Sequence, residues 1–196
     1  MFDKFYFDTL NDPKDIFKYV CDSVGEYYKE KGFKYIKSKR SILWETERLS
    51  HCIVFGTASF NKWGETVIFS VSSAVFGKDK GEKLALRFPM YRFKAKKGQT
   101  ERAVIYFDGA VVYDDFLWKN ERPHIVWQNS CNLQGLDDEG FENILKYLDK
   151  LIDLQNSLET KEGVEEYLDM ISESTLDYVL EDEKTREYIE KVKGRI

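Results

Sequence analysis

The chain is poor in the residues that most often announce a protein's chemistry: 196 residues contain three cysteines, two histidines and three prolines. Cys21, Cys52 and Cys131 are odd in number and widely spaced, and none stands in a CxxC or CxxH pattern, so the sequence predicts no disulfide framework. No N-x-S/T sequon occurs either, and together these point to a reducing cytoplasm. A structural zinc site takes four ligands, usually as two close pairs. Here His51 and Cys52 are adjacent, and on a strand they would point to opposite faces, while His124 and Cys131 lie seven apart. The expectation is no metal. Walker, GxGxxG, GxSxG and HExxH patterns are all lacking, so no catalytic residue and no cofactor is assigned. No apolar run approaches the roughly 20 residues of a membrane-spanning helix. The start, MFDKFYFDTLNDP, carries aspartates and no apolar block, and does not read as a secretory signal.

What the chain does have is core-forming material: 42% hydrophobic and 15% aromatic residues are enough to bury a substantial interior. Charge is unevenly distributed along it. Lys78 to Arg102 holds nine basic and three acidic residues, a net of +6, whereas Leu136 to Glu190 holds 18 acidic and five basic residues, a net of −13. Runs of one sign solubilise a helix, and they also steer a partner of the opposite sign.

Asp12-Pro13 provides a cap and a first turn. Ile16, Phe17, Val20, Val24, Tyr27 and Tyr28 then recur at helical spacing until Gly32, which predicts a helix over 13–31. From Phe33 to Gln128 the chain breaks into short Val-, Ile-, Phe-, Tyr- and Trp-rich runs: FKYIK, SILWETE, HCIVFGTASF, TVIFSVSSAVF, AVIYFD, AVVYD and HIVWQ. In TVIFSVSSAVF, Val67, Phe69, Val71 and Val75 alternate with Ser70, Ser72 and Ala74, the pattern of a sheet with one apolar and one small, polar face. Asp108-Gly109 predicts a two-residue hairpin, and Asn61-Lys62-Trp63-Gly64 another turn. Asp137 is the expected cap of a helix over 137–155. Its apolar stripe is Phe141, Ile144, Leu145, Leu148, Leu151 and Ile152, with Leu136 stapled on Phe141. Helical segments near 161–171 and 173–193 follow. Helix, then strands, then helices predicts an α+β fold, with a mainly antiparallel sheet of five to seven strands packed by an N-terminal helix and C-terminal helices. The expected division is an α+β domain over 1–156 and an acidic helical extension over 157–196.

The helix ending at Gly32-Phe33, the strands after it, and the run from Ser59 and Asn61 to Thr66-Val67-Ile68-Phe69 resemble a bacterial family, domain-of-unknown-function family 4304, over about residues 13–150. That resemblance implies a small cytoplasmic α+β domain of the kind found beside toxin, immunity and phage-defence genes. It implies no catalytic residue.

Three functional readings follow. The first is a non-enzymatic protein-binding module of the immunity or antitoxin kind. Its acidic helices, through Glu165, Glu166, Asp169 and Glu173, meet a basic protein while Trp63 and Trp118 anchor it. On one continuous helix those four carboxylates would line one side, away from Val164, Leu168 and Ile171. The second is single-stranded nucleic-acid binding along 87–102. There Arg87, Arg92, Lys94, Lys96, Lys97 and Arg102 would follow phosphates, with Tyr91, Phe93 or Trp63 available for stacking. Against it stands an alternation of Tyr91, Phe93 and Ala95 with Arg92, Lys94 and Lys96 that reads as an edge strand guarded by lysines. The third is a small-molecule enzyme with its site on the polar sheet face.

Overall fold

A computed structural model describes residues 12–57, 66–79, 81–88, 90–97, 105–113, 124–127 and 138–194. The first helix, α1, spans Pro13–Glu30; the Asp12 carboxylate accepts from the Lys14 N–H at 2.8 Å, and proline opens the first turn. Its end follows from Gly32, whose φ of +93° lets the Gly32 and Phe33 N–H groups reach back to the Lys29 and Tyr28 carbonyls at 3.0 Å each. Phe33 then meets Tyr28 edge-on at 5.4 Å, the hydrophobic contact that accompanies such a cap.

Eight strands follow among the described residues: β1 (Lys34–Ile36), β2 (Ser41–Glu45), β3 (Leu49–Gly56), β4 (Thr66–Gly77), β5 (Glu82–Lys83), β6 (Met90–Lys97), β7 (Ile105–Tyr113) and β8 (His124–Trp127). They form one sheet in the order β1-β2-β3-β4-β6-β7-β8, every pair antiparallel, with two-residue β5 paired to the end of β4. This is the expected α+β class with a mainly antiparallel sheet.

Two expectations about the strands fail. Asp108-Gly109 is no hairpin turn, since β7 runs through it. The register on β6 passes from Phe93↔Ala110 to Ala95↔Phe107, so one extra residue of β7 is accommodated there as a bulge. Nor is β6 an edge strand, because it pairs with β4 on one side and β7 on the other. Its lysines therefore guard no edge. The Asn61–Gly64 turn lies outside the described residues, as do Leu136 and Asp137.

Helices α2 (Asp138–Ser157), α3 (Lys161–Met170), α4 (Glu173–Glu181) and α5 (Glu183–Val192) complete the chain. All six residues of the predicted α2 stripe are buried. The segment 173–193 is two helices, broken at Asp182, which ends α4 in extended backbone and caps α5 by accepting from the Thr185 N–H at 2.9 Å.

The interior lies on one face of the sheet. At one end Ile42, Ile53, Phe55, Phe69 and Val71 pack under α1 and α2. At the other, Leu49, Val75, Leu84 and Leu86 pack under Leu158 and the α3–α5 residues Val164, Tyr167, Val179 and Ile189, with Ile171 between α3 and α4. Strand alternation puts Leu49, Ile53 and Phe55 on the same face, so the residues after 157 cover the same sheet as α1 and α2. On the opposite face Ser72 is exposed, as is Val54 at 38%.

Candidate functional site

The C-terminal helices hold their acidic surface rigidly because each has a cap and a buried side. Thr160 Oγ1 accepts from the Gly163 N–H at 3.1 Å and Ser172 Oγ from the Thr175 N–H at 3.4 Å. Opposite the buried Val164 and Tyr167, the carboxylates of Glu165, Glu166 and Asp169 are exposed, and Glu173 is exposed in the first turn of α4. The chain turns extended at Ile171, so these four do not share one continuous helix. Three stand on α3 and the fourth begins α4, where the helix dipole favours it. Lys193 Nζ approaches Glu165 Oε1 at 3.8 Å.

An aromatic group that sequence reasoning missed stands on α4. Tyr178 is 45% exposed, with the Arg87 guanidinium 4.2 Å over its ring. Its only sequence signal is its place beside the Leu176, Val179 and Leu180 stripe, not in it. Trp63 and Trp118 lie outside the described residues.

Arg87 is fixed to this helical layer as well. Its N–H donates to Tyr167 Oη at 2.9 Å, and its carbonyl accepts from the same hydroxyl at 3.1 Å. Burial pushes the Tyr167 phenol up to about 12, so it stays a donor at neutral pH. The rest of the proposed nucleic-acid strip divides by register. Tyr91 and Phe93 pair with Val71 and Phe69, whose side chains are core, while Arg92, Lys94 and Lys96 pair with Ser70, Ile68 and Thr66. Positions 91 and 93 thus belong to the face that the helices cover, apart from the basic positions they were expected to assist. Lys97 ends β6, and Arg102 lies outside the described residues.

A polar network that spacing did not reveal sits where the two halves of the core meet. His51 is buried and stacks on Trp44 at 4.7 Å, 10° from parallel. Its Nε2 is 3.1 Å from Thr46 Oγ1 and its Nδ1 is 3.2 Å from Gln155 Oε1. The Thr46 hydroxyl also contacts Glu159 Oε1, which accepts from the Arg48 and Leu49 N–H groups at 3.0 and 3.2 Å. Trp44 Nε1 donates to Asn156 Oδ1 at 2.8 Å. The turn between β2 and β3 is thereby strapped to the turn between α2 and α3.

His51 lies on the core face, whereas the partly exposed Cys52 lies on the other, where burial raises its thiol above the ordinary value. Burial pushes the Cys21 thiol to about 12. Both cysteines are protonated at neutral pH. Among the described residues no three His, Cys, Asp or Glu side chains gather as metal ligands. The side chain of His124, and all of Cys131, lie outside those residues. A cleft of about 180 Å³ between the β4–β5 turn and α5 is lined by Arg48, Lys78 and Glu187 and by two ion pairs, Lys184 with Glu82 at 2.9 Å and Lys191 with Asp79 at 3.7 Å. The two pairs join α5 to the β4–β5 turn.

No family model, curated protein or solved structure matches the chain. The resemblance over 13–150 gains no support from these comparisons, and the reading of function stands on the chain's own geometry. Among the described residues, no helix is long and apolar enough to cross a membrane.

Proposed function

We propose that this protein is a non-enzymatic, cytoplasmic binding module that receives a basic protein partner on the outer surface of α3 and α4. The observation that supports this most is the fixed acidic surface: Glu165, Glu166, Asp169 and Glu173 are exposed on helices whose other sides are buried against the sheet. Such carboxylates need little ordering on binding, steer encounter and set register, and Tyr178 beside them supplies an aromatic contact. An inhibitor of the immunity or antitoxin kind, or a phage-defence-associated protein, is the class this module would serve. Two observations weigh against the nucleic-acid reading: the register separates Tyr91 and Phe93 from Arg92, Lys94 and Lys96, and Arg87 is engaged by the helices.

Reversing Glu165, Glu166, Asp169 and Glu173 to lysine tests the proposal. A partner recovered by pull-down from the native host should associate more slowly with the reversed variant, with a weaker dependence on ionic strength. Equal association rates would reduce the acidic surface to a solubility device. Salt-sensitive binding of single-stranded DNA or RNA, lost when Lys94, Lys96 and Lys97 become alanine, would favour the second reading instead.

A further inference from the structure

The protons around His51 are too few for the acceptors that surround it. Thr46 has one hydroxyl hydrogen. Its closest acceptor is Glu159 Oε1, and an ionised carboxylate can only accept, so the hydrogen goes there. His51 Nε2, 3.1 Å from the same hydroxyl oxygen, must then carry a proton and donate it. Nδ1 has two alternatives. With a proton, it donates to Gln155 Oε1, and the Gln155 Nε2 amine is left buried without a partner. Without one, it accepts from that amide N–H once the amide turns over by half a rotation, which puts the carbonyl oxygen where the donor had no partner. An under-satisfied buried carbonyl is tolerated better than an orphaned N–H, and a buried imidazolium costs free energy, so the neutral arrangement is preferred at neutral pH.

We propose that His51 and Gln155 form a two-state proton switch in the strap that holds the α3–α5 layer on the sheet. In the neutral state the ring is the Nε2–H tautomer and the Gln155 amine donates to Nδ1. In acid the ring takes up a proton, the amide turns back, and the strap contains a buried cation beside an unpaired amine. Gln155, Asn156 and Glu159 all belong to the end of α2 or the turn after it, so the strain falls where α3 begins.

The charged groups around the ring are unequal. Glu159 faces it through Thr46 from the α2–α3 turn and favours the cation. Lys78, after β4, donates to the Thr46 carbonyl at 3.2 Å, and Arg48 sits on the far side of Glu159 through its N–H. Tyr188 of α5 is engaged with the Leu158 carbonyl at 2.9 Å, and Trp44 contributes an uncharged stacking face. Burial outweighs the Gln155 hydrogen bond and Glu159 together and holds His51 below its ordinary value of 6.5. Above that value the folded and unfolded chains are both neutral here. Below it the unfolded chain takes the proton first, so stability falls until the folded ring titrates.

Nitrogen-15 spectra of the full chain across pH test this, with a His124→Gln variant separating the two histidines. Near neutrality His51 should be the Nε2–H tautomer. On acidification its ring and the Gln155 amine should shift together, below 6.5, while hydrogen exchange in α3 rises severalfold and that in α1 holds steady. An Nδ1–H tautomer at neutrality, titration at or above 6.5, or equal acceleration in α1 and α3 would overturn the proposal. Gln155→Glu places an anion on Nδ1, and should raise the His51 titration by about one to three pH units and abolish the acid loosening. A folded Gln155→Glu protein with an unchanged profile would also overturn it.

Discussion

Replacing Gly163 with alanine sets two known effects against each other. In an exposed helix, glycine to alanine stabilises by about 1 kcal/mol. Gly163 lies in the first turn of α3, and a Cβ built there would stand 2.5 Å from the Ser157 carbonyl carbon and closer still to its oxygen. Carbon atoms pack best at about 3.5 to 4.0 Å, so the turn after α2 would have to move by roughly 1 to 1.5 Å. The obstacle is backbone and cannot rotate away. That same carbonyl accepts from the Thr160 N–H at 3.1 Å and the Thr160 hydroxyl at 3.0 Å, so moving it disturbs the cap of α3. Overpacking of about 1 to 3 kcal/mol and two weakened hydrogen bonds of about 1 kcal/mol each outweigh the helical gain. The expected net loss is about 2 to 4 kcal/mol, a fall in melting temperature of roughly 4 to 16 °C for a chain of this size. Thermal melting followed by circular dichroism reads this directly, with Lys161→Ala on the exposed side of the same helix as the neutral control. An unchanged or higher melting temperature for Gly163→Ala would refute the close packing of α2 against α3.

Leu148 is fully buried on the α2 stripe, and Leu148→Ala should cost about 2 to 5 kcal/mol in chemical denaturation, whereas a few tenths would mean that α2 does not cover the sheet. Tyr28→Phe removes a hydroxyl that donates to Asp149 Oδ1 at 2.8 Å and the Leu145 carbonyl at 3.2 Å, and should cost about 1 to 2 kcal/mol by the same measurement. Asp182→Ala should cost about 1 kcal/mol through the lost cap of α5. The bonds from the Thr185 hydroxyl and N–H hold the Asp182 carboxyl below its ordinary value of 3.8, so its contribution is full above that value and disappears as pH falls through the folded one. An acid titration of stability identical in Asp182→Ala and the parent would contradict that assignment.

Local chemistry was legible where a single segment decides it. Asp12-Pro13 and Gly32 marked both ends of α1, and the stripe from Phe141 to Ile152 predicted a buried face that the fold confirms residue by residue. The errors arose where one dipeptide serves two geometries or where distant strands choose partners. Asp108-Gly109 suits a hairpin turn and a bulge equally, and pairing with β6 decided for the bulge. An edge and an inner strand share the alternation of β6, and the difference is which neighbours lie beside it. The His51 network was illegible because its partners stand 104 to 113 residues from the β2–β3 turn, and neither glutamine nor asparagine carries a spacing signal. Of the candidate site, the acidic positions could be read as exposed helix faces, but the break at Ile171 and the exposed Tyr178 depend on how α4 packs.

Hydrogen exchange of the full chain shows whether the acidic surface is held on the sheet. Amides around Val164, Tyr167, Val179 and Ile189, which share a buried cluster with Leu49 and Val75, should be protected to a degree comparable with those of α1 and α2. Fast exchange throughout α3–α5, with α1 and α2 still protected, would show a loosely attached acidic tail and contradict the preorganised surface on which the proposed function depends.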